Sequence, residues 1–107
     1  LRIVVPISET VNVIQKLKAY EINYFLDWGG SLIWLQIENL SLKILKEIRN
    51  ITQNHAGYFT IIKIEEDLKA SADIFTIDPI KYKISEKIKK SFDPKRIFNP
   101  GKMYSGI

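Results

Sequence analysis

The spacing of apolar residues changes period along this chain, and each change marks an element. Ile3, Val4 and Val5 form a β-branched run closed by Pro6, which predicts a first strand over residues 2–5. Ser8 can cap a helix from about Glu9 to Lys18, in which Val11, Ile14 and Leu17 recur at spacings of three and define one inward face. From Tyr20 to Trp28 the period drops to two: Tyr20, Ile22, Tyr24, Leu26 and Trp28 alternate with more polar positions, as in a half-buried strand. Gly29-Gly30 offers a hairpin turn into residues 31–38, where Leu32-Ile33-Trp34-Leu35 is apolar on both faces and predicts a central strand. A second helix capped by Ser41 turns Leu42, Leu45, Ile48 and Ile51 inward and ends near Asn54, before Gly57. Residues 58–64 complete the set as a fourth strand. The order β-α-β-β-α-β predicts an α+β, ferredoxin-like unit over residues 1–64, an antiparallel sheet with both helices on one face.

Residues 65–77 read as a connector opened by Glu65-Glu66-Asp67. Asp78-Pro79 then has the form of a helix start, an acidic N-cap with proline at the first helical position. Ile80, Ile84, Ile88 and Phe92 follow at four-residue intervals, with Lys81, Lys83, Lys89 and Lys90 largely outside their arc, so this additional C-terminal helix is amphipathic with a basic side. Asp93-Pro94 stops it, because proline lacks an N–H and pushes the preceding residue out of the α region. Asn99-Pro100-Gly101 makes a second reversal of the type II kind. The segment from Phe92 to Tyr104 is therefore expected to be a docked tail, pinned at two corners.

Composition narrows the chemistry. A chain of 107 residues, 46% hydrophobic and 26% charged, is long enough to bury roughly 65% of its unfolded surface in one core. It has no cysteine and a single histidine, which excludes disulfides, thiolate nucleophiles and histidine-rich metal sites. Residues 1–77 carry eight Lys/Arg against nine Asp/Glu and residues 78–107 eight against three, so the net charge of +4 is the sum of −1 and +5 and belongs to the last helix and tail. There is no Gly-x-Gly-x-x-Gly and no Walker loop. The aromatic signature of an RNA-recognition sheet is missing from the first strand and the third, so no nucleic-acid partner is expected. His55, at a helix end, is read as favourable placement near the helix dipole. No stretch is long and apolar enough for a transmembrane segment. A soluble, cytoplasmic setting is the default expectation. The opening Leu1-Arg2-Ile3-Val4-Val5, without an initiator methionine, reads as part of something longer.

A helix running into Phe92-Asp93-Pro94, then Ile97-Phe98-Asn99-Pro100-Gly101-Lys102-Met103-Tyr104, resembles the ending of the FAD-linked oxidases of the vanillyl-alcohol oxidase type. Asp27-Trp28-Gly29-Gly30 followed by a strand with Leu32 and Trp34-Leu35 is similar to the glycolate oxidase E-subunit branch of that family. The resemblance implies that residues 1–64 are a cap domain, that 65–77 connect, and that 78–107 return toward an FAD-binding domain not contained in these residues. It implies FAD as cofactor, a small 2-hydroxy acid such as glycolate as substrate, and no catalytic completeness for this chain alone. It places Asn99 and Lys102 at the flavin, the first as an amide hydrogen-bonding to the ring, the second offsetting negative charge on the reduced ring or a substrate carboxylate. The partners implied are the FAD-binding domain, a second flavoprotein-like subunit and an iron–sulfur subunit, with any attachment to the inner membrane made through them. The chain departs from the family at its Gly-Gly-His, where Asn54-His55-Ala56-Gly57 stands instead. The alternative is a non-catalytic docking module whose basic helix meets an acidic partner, and a missing companion domain would leave an apolar patch prone to self-association.

Overall fold

The computed structural model describes every residue except Ile77, Met103 and Ser105. Strand β1 (Arg2–Val4) leads through a single 3-10 turn into helix α1 (Thr10–Leu17), followed by strands β2 (Ile22–Asp27) and β3 (Leu32–Ile37), helix α2 (Leu42–Asn54) and strand β4 (Tyr58–Thr60). This is the β-α-β-β-α-β order expected. The four strands form one sheet in the order β2-β3-β1-β4, antiparallel at every pairing.

Register decides what each face carries, because neighbours on a strand point to opposite sides. Ile3 stands between Ile33 and Phe59, and Leu35 lies one pleat along β3, all on the helix side. They close with Val13, Ile14 and Leu17 of α1 and Leu45 and Ile48 of α2 into a single core, in which Phe59 is 1% exposed. At Gly57 an added Cβ would lie 2.8 Å from the Val4 carbonyl oxygen and 2.5 Å from Val5 Cγ1, so the chain passes there only without a side chain.

Several boundaries differ from expectation for local reasons. Ser8 is absorbed into the 3-10 turn, so α1 begins at Thr10 with no side-chain cap. The buried face of α1 runs through Thr10, Val13, Ile14 and Leu17, leaving Val11 exposed, since one helical turn is closer to four residues than to three. β2 is an edge strand, and Tyr24, Phe25 and Leu26 remain largely exposed beyond the reach of the helices. β4 is shorter than residues 58–64, because beyond Thr60 the chain bonds to the connector instead: Ile61 N–H donates to Ile74 O at 2.8 Å and Thr76 N–H to Phe59 O at 3.0 Å. The connector also holds one helical turn, α3 (Glu66–Lys69), and is tied to α2 by Arg49, whose guanidinium meets the Asp73 carboxylate at 3.5 Å.

The last helix, α4 (Pro79–Phe92), begins where the acid–proline pair predicts. The Asp78 carboxylate accepts from Ile80 N–H at 2.8 Å and Lys81 N–H at 2.9 Å. No residue of α4 is buried. Its stripe of Ile80, Ile84, Ile88 and Phe92 faces solvent, with Ile80 70% and Phe92 85% exposed. It meets the sheet domain at its first turn, where the Lys81 ammonium lies 5.3 Å from the Tyr58 ring centroid.

Candidate functional site

The tail has a definite shape although nearly all of it is exposed, and one side chain accounts for that. Asp93, at the C-cap of α4, is only 6% exposed. Its Oδ1 accepts from Ile97 N–H and its Oδ2 from Phe98 N–H, both at 2.9 Å, while Lys89 Nζ pairs with Oδ2 at 2.7 Å and also donates to Phe98 O. The Lys89 ammonium first, and the two amides after it, hold the Asp93 carboxyl down to about 2, against the opposing effect of burial. This closes a loop over residues 93–98 whose outer surface is Phe92, Ile97 and Phe98.

Beyond the loop comes the expected reversal. Gly101 has φ 68°, Lys102 N–H donates to Asn99 O at 3.3 Å, and Asn99 itself has φ 46°, a left-handed value that asparagine tolerates better than most residues. Gly101 N–H donates to Ile107 O at 2.7 Å, and the Tyr104 ring meets Tyr82 of α4 edge-on at 6.3 Å, so the tail is docked on α4. Asn99 and Lys102 thus share one turn, brought together by a backbone hydrogen bond. Both are exposed, and their side chains have no hydrogen-bond or ion-pair partner among the described residues.

Two clefts lie elsewhere. One, of about 890 Å3, runs along the Phe25, Trp34 and Gln36 end of the sheet to Ile62 and Leu68. The other, of about 670 Å3, opens between β4 and α4 and is lined by Tyr58, Thr76, Lys81, Ser85 and Tyr104. Neither includes Asn99 or Lys102. His55 belongs to none of these places. It ends α2 and its Nδ1 meets Glu9 Oε2 at 2.5 Å, a contact that lowers the Glu9 carboxyl. It fastens the two core helices to each other.

Residues 75–103 match the family model described as FAD linked oxidases, C-terminal domain. That span is similar to the C-terminal domain of the FAD-linked oxidases. It takes in the residues that build α4, the Asp93 loop and the Asn99 turn, and it starts where the connector leaves the edge of β4. The chain is also similar to the glycolate oxidase subunit GlcE of Escherichia coli, 32% identical over 84 residues, which are 77% of this chain and 21% of that protein. The chain therefore spans about a fifth of the length of this relative. No solved structure matches it. Among the described residues the amide of Asn99 and the ammonium of Lys102 are without partners on this turn, groups of the kind that could meet the polar edge of a flavin, and the sequence carries no phosphate cradle.

Sequence reasoning missed Asp93 as the organiser of the tail. Its signal was present: an aspartate followed by proline stops a helix, and amides four and five residues on return within reach of the same carboxylate.

Proposed function

We propose that this chain serves as the C-terminal part of a flavin-dependent oxidoreductase subunit acting on a small 2-hydroxy acid, glycolate being the leading case. Residues 1–64 act as the cap and residues 78–107 as the element that returns to an FAD-binding domain. A bound FAD would supply the hydride acceptor for oxidation of the hydroxyl-bearing carbon to a carbonyl, the hydroxyl proton being lost to a base outside these residues. The contribution of this chain is to position: Asn99 hydrogen-bonds the polar edge of the ring, and Lys102 offsets the negative charge that develops there or on the substrate carboxylate.

One observation carries the reading. The segment that matches the FAD-linked oxidases contains a helix with no buried residue and an exposed apolar stripe, yet the loop that follows it is locked in shape by a buried carboxylate. An exposed apolar stripe on an ordered scaffold is a docking element without its partner. The test is a chimera in which this chain replaces the matching region of GlcE from Escherichia coli. The chimera is expected to copurify with FAD, and Asn99→Ala in it to weaken FAD retention by about tenfold, or about 1.4 kcal/mol. A folded chimera that holds no flavin overturns the reading.

The charge of +5 on residues 78–107 favours a second reading, a docking module that meets an acidic partner subunit without contributing to catalysis. Its signature is complex formation that weakens steeply with salt and is indifferent to Asn99→Ala.

A further inference from the structure

The face of the sheet turned away from the helices carries its own chemistry. Arg2 lies near its centre, on inner strand β1, directly between Trp34 of β3 and Thr60 of β4. Its guanidinium sits 5.2 Å from the centroid of the Trp28 ring, and Phe25 stacks on Trp34 at 6.0 Å beside it. Among the described residues no carboxylate pairs with Arg2. Asp27, the acidic residue of β2 on the same face, uses its Oδ1 to accept the Trp28 N–H at 2.8 Å.

Trp28 is the second observation. It has φ 51°, a left-handed conformation that is unusual for a bulky residue and costs on the order of 1–3 kcal/mol. The turn around it is fastened to preserve that conformation: Thr10 Oγ1 donates to Gly30 O at 2.6 Å, and Ser31 Oγ donates to Trp28 O at 3.1 Å. Trp28 is 58% exposed, so its burial does not account for the strain. The strained turn holds an aromatic face against an arginine. A guanidinium held against a ring face keeps N–H groups available for a planar, bidentate acceptor.

We propose that Arg2, oriented by Trp28, binds the carboxylate of a small 2-hydroxy acid on the open face of the sheet. The proposal rests on the 2-hydroxy-acid reading above and gives it a substrate-recognition residue in the cap, separate from the tail turn. The Trp28 ring shields one side of the pair from water, which strengthens the charge–charge attraction.

The test is titration of the 107-residue chain with glycolate at constant ionic strength, followed by NMR at the Arg2 Nε–H and the Trp28 indole N–H. Glycolamide, neutral and nearly the same shape, is the control. The expected result is saturable shifts at both groups in the millimolar range with glycolate and none with glycolamide. Arg2→Lys should weaken the response more than tenfold, because an ammonium keeps the charge and loses the fork, and Arg2→Met should remove it. Equal shifts with glycolamide, shifts that persist in Arg2→Met, or no shift at Arg2 would each overturn the proposal. So would a response only to an acidic peptide, which would make Arg2 one half of an interdomain ion pair. The titration needs no flavin, so its failure leaves the flavin reading standing, and a chimera without FAD leaves the titration unaffected.

Discussion

The sheet domain and the C-terminal segment are held in shape by different physics. In the first, β-branched and aliphatic side chains from four strands and two helices bury one another, and the hydrophobic effect sets the geometry. In the second, α4 has no buried residue and the form of the Asp93 loop comes from one carboxylate, one ammonium and three hydrogen bonds. A core can stand alone because its partner surfaces lie within the same chain. The C-terminal segment has its apolar stripe on the outside and its polar fastening on the inside, the arrangement of a surface made to be covered.

Truncation at matched sites gives the sharpest contrast. Phe59→Ala is expected to remove about 3–5 kcal/mol of stability, read as a lower urea midpoint, whereas Phe92→Ala should stay within about 0.5 kcal/mol. A large loss at Phe92 would mean that α4 is packed in solution and would break the comparison. Next in size, Gly57→Ala should cost about 1–3 kcal/mol, because the backbone oxygen of Val4 cannot yield to the new methyl group. Its check is the thermal midpoint.

Asp93→Asn should leave that midpoint nearly unchanged and act locally, raising hydrogen exchange at the Ile97 and Phe98 amides by more than tenfold while β1 and β3 keep their protection. Acid should reproduce the effect reversibly. With its carboxyl lowered from 3.8 to about 2, Asp93 contributes fully above the ordinary aspartate value, and the contribution is lost as pH falls through about 2. Exchange at Ile97 and Phe98 should accelerate across that window. The smallest effect is expected from Ile84→Glu: no change in unfolding, but less self-association by sedimentation if the stripe is what associates.

What could be read from the sequence follows the same division. Strand and helix order was legible because the core imposes periods of two and about four on Ile3, Ile33, Leu45, Ile48 and their neighbours. The caps at Ser41 and Asp78 were legible because N-cap chemistry is local. Val11 was misplaced because α1 is too short for its inward face to be fixed by spacing alone. The turn at Asn99 and Lys102 was visible in Asn-Pro-Gly-Lys, but that both side chains stand clear of the two clefts depends on how the tail folds on α4. Arg2 gave no signal at all, since its meeting with Trp28 is made by strand order and by one strained residue.

The register of β1 also says something about time. Ile3 pairs with Ile33 on one side and with Phe59 on the other, so the first strand of the chain is an inner strand of the sheet. The β2–β3 hairpin can close by itself, over a short turn, in microseconds. β1 must wait for distant partners, and the loop closures they require slow the step that completes the sheet. During synthesis β1 leaves the ribosome well before β4, so Arg2 reaches its place on the open face only when Tyr58–Thr60 arrives.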